Sequence, residues 1–289
     1  MIYFLLLLKG VEAQEVSRNF VWGINGHPLT QHDYQPMSWD DQMGFLKDLN
    51  VHSYRFDVLL NQEGGVRNEA AFFDFLKLLK TNGRSAMPVL MFPGNELQDS
   101  ASIYKVAFNQ GRNFGIKYGK LINVLEIGNE LELRILKEGD GTRASQYDLS
   151  KSSRLMFKLK GIIDGLKSVS PLLKTSISLG WTHLYYLELL ALYKVNYDII
   201  GYHWYSNMGD ITNVKAPYGN ILQKVKRKYN KTIWITEFNT YEGTRNTLFE
   251  KQESYILTSI QKILRQNIVE AFFIYELFDE PALKGDFPH

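Results

Sequence analysis

The sequence predicts an eight-stranded (β/α) barrel, and three observations carry that prediction. A short apolar run, a loop and an amphipathic segment recur in the same order along the chain, and the apolar runs number eight. No linker, low-complexity stretch or change of composition interrupts them. The length, 289 residues, suits one α/β barrel and is long for a compact sandwich. Strands and helices that alternate this many times favour closure over an open sheet.

The apolar runs lie near 20–24, 51–56, 86–92, 122–127, 174–179, 198–202, 232–236 and 269–275. Continuous branched runs of this kind suit parallel strands covered on both faces. Helical periodicity fills 38–49, 68–80, 99–119, 150–168, 183–194, 217–229 and 248–267. Ser38 with Asp41 three residues on, Asn68 and Ser150 signal helix starts, while Gly83 and Pro171 signal stops. The last stretch, "DEPALKGDFPH", has no helical period, so the expected barrel lacks its eighth helix through C-terminal truncation.

At the other end, Ile2 to Leu8 is apolar and is followed by "KGVEAQE", where Val11 and Ala13 fit a small-residue cleavage site. This predicts a signal peptide over 1–13, export to the periplasm or the medium, and a single catalytic barrel over 14–289. The apolar run is too short to span a bilayer.

Composition excludes several classes of function. A formal charge of +2 gives no case for nucleic acid, and Lys224 to Lys228 reads as the solvated face of a helix. With no cysteine there are no disulfides and no Cys-ligated metals. The six histidines contain no His-x-His pair, against a metal-dependent hydrolase, and no Gly-rich turn follows the seventh or eighth run. The expectation is a monomer without cofactor or membrane span.

A barrel of this kind carries its chemistry at the C-terminal ends of its strands. Read in order, those ends offer Asn25 and His27, then Arg55 and Asp57, then Asn95 and Glu96. Asn129 and Glu130 follow the fourth run in "VLEIGNELEL", Trp181 the fifth, and His203 and Tyr205 the sixth. Glu237 and Asn239 close the seventh in "IWITEFNT", and Glu276 the eighth in "FFIYELFDE". Glutamates on the fourth and seventh strands form the pair that glycosidic hydrolysis needs: an acid for the leaving oxygen and a carboxylate to attack or to activate water.

From about residue 20 to the C-terminus the chain resembles the clan-A retaining glycoside hydrolases, (β/α) barrels with catalytic glutamates after strands four and seven. The resemblance implies that Glu130, in Asn129-Glu130, is the acid/base and that Glu237, in "ITEF", is the nucleophile. It further implies that Arg55 lies near the nucleophile and that His203-Trp204-Tyr205 is the His-x-Tyr of the sixth strand. The chain departs from the pattern at the eighth strand, where Tyr275, Glu276 and Phe278 stand in place of a tryptophan. It departs also at the third, where Phe92, Pro93 and Asn95 replace a histidine. No accessory β-sandwich is expected after the barrel.

These residues set definite expectations. The Glu130 and Glu237 carboxyls should lie about 5–5.5 Å apart, as retention requires. Glu130 should have the higher pKa, with Arg55 and Tyr205 in hydrogen-bonding reach of Glu237. Asn129, Arg55, His203, Tyr205, Trp181, Glu276, His27 and Asn25 are the expected substrate contacts, with Trp204 and Tyr241 as further aromatics near the mouth. Glu126 shares the inward face with Glu130 and needs a buried partner, for which Arg55 is a candidate. An open cleft and endo-cleavage of a poly- or oligosaccharide are expected. The alternatives are an exo-acting β-glycosidase, with 131–149 or 204–216 closing one side, and a carbohydrate-binding barrel without turnover.

Overall fold

A computed structural model describes residues 20–94 and 99–279. The expected signal peptide over 1–13, Asn95, Glu96 and residues 280–289, where the eighth helix is expected to be missing, lie outside the described residues. Eight parallel strands close into a barrel in sequence order. They are β1 (Val21–Gly26), β2 (Ser53–Leu59), β3 (Ser85–Met91), β4 (Val124–Ile127), β5 (Lys174–Gly180), β6 (Ile199–Tyr205), β7 (Thr232–Asn239) and β8 (Val269–Ile274). Between them run α1 (Trp39–Asp48), α2 (Glu69–Thr81), α3 (Ser100–Tyr118), α4 (Leu149–Val169), α5 (Tyr185–Leu192), α6 (Ile221–Tyr229) and α7 (Phe249–Leu264). Among the described residues no helix is long and apolar enough to cross a membrane. The chain divides into two compact units, 1–56 with 78–85 and 202–289, and 57–77 with 86–201.

In the first unit β8, β1 and β2 pair in register, with Asn25 opposite Arg55 and Ile24 opposite Ile274. Adjacent strands present paired residues to the same face, so Asn25 and Arg55 project together. β6 and β7 continue past their apolar runs to Tyr205 and Asn239, because polar side chains at a barrel mouth do not stop the backbone from pairing. α1 opens where the sequence predicts, with Ser38 Oγ accepting the Asp41 N–H. α6 starts four residues later than its periodicity suggests: Val214 and Gly219 exchange backbone bonds in an antiparallel bridge, and Asn220 then caps the helix.

In the second unit β3, β4 and β5 pair with Val89 opposite Glu126 and Glu126 opposite Ser176. Glu126 is fully buried and accepts a hydrogen bond from Ser176 Oγ at 3.0 Å. α4 is capped by Asp148, whose side chain accepts the Lys151 N–H, rather than by Ser150. Either residue type can cap a helix; here the chain turns at Asp148, whose N–H bonds Ile135 O and closes the preceding loop.

Candidate active site

Glu237 lies in β7 with only 5% of its surface exposed, a position in which an isolated carboxylate would be neutral. It is not isolated. Arg55 Nη1 donates to Oε1 at 2.8 Å, and the Tyr205 hydroxyl donates to Oε2 at 2.7 Å. His203 Nδ1 stands 3.4 Å from Oε2, while its Nε2 is 3.4 Å from the other guanidinium nitrogen. Burial favours the neutral acid, but His203, Arg55 and Tyr205 outweigh it and hold Glu237 below the usual carboxylate range. An attacking carboxylate needs this property. Glu237 and His203 are also metal-ligand types, but the guanidinium already supplies the positive charge that a bound cation would bring.

Arg55 is fixed by Asn25, whose Oδ1 accepts from Nη1 at 2.6 Å. The Asn25 amide nitrogen donates to Thr236 O and Ile274 O at 3.0 and 3.1 Å, tying β1 to β7 and β8. Both ends of the Asn25 amide are therefore engaged inside the barrel, and Asn25, an expected substrate contact, is 1% exposed. Trp204 is likewise turned away from solvent. It is fully buried, and its indole N–H donates to Gly209 O at 2.7 Å, which anchors the loop after β6.

A second polar cluster joins the exits of β1 and β8. His27 Nε2 lies 3.1 Å from the Tyr275 hydroxyl and 3.5 Å from Glu276 Oε2. The same carboxylate oxygen accepts from the Tyr34 hydroxyl at 2.7 Å. Burial and the Glu276 charge push the Tyr34 phenol far above its ordinary value, so it remains a donor. His27, Glu276 and Tyr275 thus meet in space as the sequence places them on neighbouring strand ends. Tyr34, in the loop after β1, carries no signal in the sequence that would single it out.

The exit of β4 is built from backbone. Gly128 adopts φ +68°, and a Cβ there would come within 2.5 Å of Leu131 Cδ1, so the position demands glycine. Asn129 and Glu130 follow, half-buried, and Glu130 itself is left-handed at φ +43°. Its N–H donates to Ser178 Oγ on β5 at 3.1 Å. Glu132, two residues on, is fully buried and accepts from Gly180 N at 2.7 Å and from His183 Nδ1 at 3.2 Å. Burial pushes the Glu132 carboxyl above the usual range, reinforced by Glu130 and opposed by His183. Trp181, between Gly180 and the His183 turn, is half-buried. Ser178 and Glu132 escape sequence reasoning as site residues, although Ser176 and Ser178 alternate on β5 in step with Glu126 and Gly128 on β4.

The family model described as glycosyl hydrolase catalytic core matches residues 137–286. No curated protein matches the chain. Among solved structures, the GH53 catalytic domain of Ignisphaera aggregans is 15% identical, covers 91% of this chain and 86% of its own, and superposes with a TM-score of 0.63. The family 1 β-glucosidase of Thermotoga maritima is 13% identical over 93% of this chain and 90% of its own, with a TM-score of 0.63. A structure of two fungal β-1,4-galactanases is 16% identical over 81% and 80%, with a TM-score of 0.61. At these identities the likeness is one of fold.

Proposed function

The chain belongs to the glycosyl hydrolase catalytic core family, and from that premise we propose that this glycosidase works by retaining double displacement, with Glu237 as nucleophile and Glu130 as acid/base. The observation that carries the reading is the setting of Glu237: a buried carboxylate kept ionised by Arg55, Tyr205 and His203 at the end of β7. Glu130 leaves β4 of the same closed parallel barrel, and parallel strands deliver their exits to one end.

The chemistry then runs in two steps. Glu130 gives its proton to the glycosidic oxygen as that bond to the anomeric carbon breaks, and Glu237 forms an ester with the same carbon. Once the aglycone has left, the Glu130 carboxylate takes a proton from water. The oxygen of that water displaces Glu237, which restores both groups. Asn129 is the amide for the sugar 2-hydroxyl, an interaction that strengthens as the oxocarbenium ion develops. Glu276 and His27 are the polar contacts for hydroxyls on the far side of the ring.

Endo-cleavage of a polysaccharide is the favoured mode. The two loops able to wall off a blind pocket are each fastened within their own unit. Asp140 O and Gly141 O in the β4–α4 loop accept from Thr182 Oγ1 and Tyr185 N, at 2.7 and 2.9 Å. Asp210 in the β6–α6 loop is bound by Lys262 of α7 at 2.7 Å. Loops fastened in this way are less free to close over one side, which favours a cleft. The neighbours include both β-glucosidases and galactanases, so fold likeness does not choose between these modes.

Proton NMR of the first product decides the mechanism: the expected result is the anomer of the substrate, and the opposite anomer would overturn retention. A glycosyl-enzyme trapped on Glu237 would also let the carboxyl separation be measured against the required ~5–5.5 Å. Mixed-length oligosaccharides from a panel of plant and microbial polysaccharides are expected, and monosaccharide from the first minute would point to exo-action.

A further inference from the structure

The exits of β4 and β5 are cross-braced in both directions. Glu130 donates its N–H to Ser178 Oγ of β5, and Gly180 of β5 donates its N–H to Glu132 Oε1. Each bond sits beside a non-glycine residue in the left-handed region, Glu130 at φ +43° and Trp181 at φ +45°. A tryptophan rarely adopts this conformation unless its surroundings over-determine it, and such residues gather at ligand sites.

The surroundings of Trp181 do over-determine it. On the amino side Glu132 holds Gly180 N, and on the carboxyl side the same oxygen meets His183 Nδ1. The His183 ring then packs edge-on against the indole, centroids 6.0 Å apart and planes at 79°. Gly141 closes from outside: at φ +70°, any Cβ it carried would meet His183 Cα at 2.7 Å. Its carbonyl accepts from Tyr185 N and from the Tyr147 hydroxyl. Glu132 therefore sits at the centre of a buried clamp whose one half-exposed product is the indole.

We propose that Glu132 is a positioning residue that presents Trp181 as the stacking face for a pyranose ring of a neutral β-linked oligosaccharide, beside the acid/base Glu130. The proposal rests on the glycosidase reading above. A single oxygen accepts from both flanks of the tryptophan, so the backbone turn and the ring orientation are set together. Preorganisation of this kind lowers the ordering cost of binding rather than adding contacts.

Calorimetric titration in a Glu237→Gln background, which stops turnover, tests it. The probe is cellotetraose or β-1,4-galactotetraose, whichever the parent enzyme hydrolyses. Trp181→Ala is expected to weaken binding about tenfold, the scale of one aromatic face. Glu132→Ala should weaken it by a similar factor, and the double variant no further than either alone. Glu132→Gln, which keeps an acceptor oxygen for Gly180 N–H, should stay within about threefold of the parent, a loss no larger than a typical neutral hydrogen bond. With Glu237 intact, KM should rise in Glu132→Ala while kcat holds. Parent-like affinity in a cooperatively folded Glu132→Ala, or additive losses in the double variant, overturns the proposal. If Glu132→Ala does not fold, His183→Ala takes its place, with parent-like affinity again the refuting result. Undiminished binding by Trp181→Ala refutes the stacking face and leaves the two-glutamate chemistry intact. Failure of the parent to hydrolyse either sugar removes the substrate class and with it the proposal.

Discussion

Glu237 leaves β7 in extended backbone and is gripped by side chains from β2 and β6, with a guanidinium, a phenol and an imidazole on its two oxygens. Glu130 leaves β4 at φ +43°, two residues past the left-handed Gly128, with its N–H on a serine of the next strand. The first exit controls charge and the second controls direction. In the proposed roles, a nucleophile must be ionised and aimed at a single carbon, which a ring of donors would serve. A group that gives a proton and later takes one back must reach a leaving oxygen and then a water, so its backbone anchor matters more than any permanent counter-charge.

The largest expected effect removes either carboxyl. Glu130→Gln should lower kcat by about 10²–10⁴, the range of general acid–base catalysis, and Glu237→Gln by at least as much. Azide separates the two exits. Added to the alanine variants, it should give a glycosyl azide of retained configuration at position 130 and of inverted configuration at 237. The same anomer from both would break the assignment of roles.

Next is Arg55→Met. It leaves Glu237 as a buried charge without the guanidinium on Oε1, and should lower unfolding stability by about 3–5 kcal/mol. It should also move the acidic limb of kcat/KM to higher pH, because the charged form of Glu237 loses support. Ser178→Ala, at the other exit, should cost about 1 kcal/mol and leave that limb where it was. A limb that moves in Ser178→Ala, or stays in Arg55→Met, would erase the distinction between charge and direction.

Gly128→Ala probes the β4 exit alone. Forcing a side chain into the left-handed region costs about 1–2 kcal/mol before the clash with Leu131 is counted. The chain should still fold, with kcat reduced because Glu130 is misdirected, and the Glu237 limb should not shift.

The smallest effect lies in the pH dependence of stability, where the two exits have opposite sign. Glu237 titrates below its ordinary 4.5 in the folded protein, so its stabilisation is present above pH 4.5 and is lost as pH falls through the lower folded value. Glu132 titrates above 4.5, so its contribution is complete below that pH and is lost as pH rises through the folded value. The Tm gap between the parent and Glu237→Gln should therefore narrow on acidification, and the gap to Glu132→Gln should narrow on raising the pH. Gaps that run in parallel would contradict the two environments.

The eight strands, the seven longer helices among the described residues and the two glutamate-bearing exits were legible from local pattern, because apolar runs report burial and Ser38 or Gly83 report where a helix can start or stop. Arg55 and Tyr205 could be named as neighbours of Glu237 because strand number and strand end define a position on a barrel rim. Local pattern failed where a choice depended on chain far away. Asp148 rather than Ser150 caps α4 because a loop closes back there, and α6 waits for the Val214–Gly219 bridge. Nothing local in the sequence showed that the Asn25 amide meets carbonyls 211 and 249 residues away. Glu132, Ser178 and Tyr34 read as ordinary polar residues of loop and strand. Periodicity says which side of a strand or helix a residue occupies; only closure of the barrel decides which donors and acceptors from distant strands meet there, since a buried polar group must find its partner wherever the fold brings one.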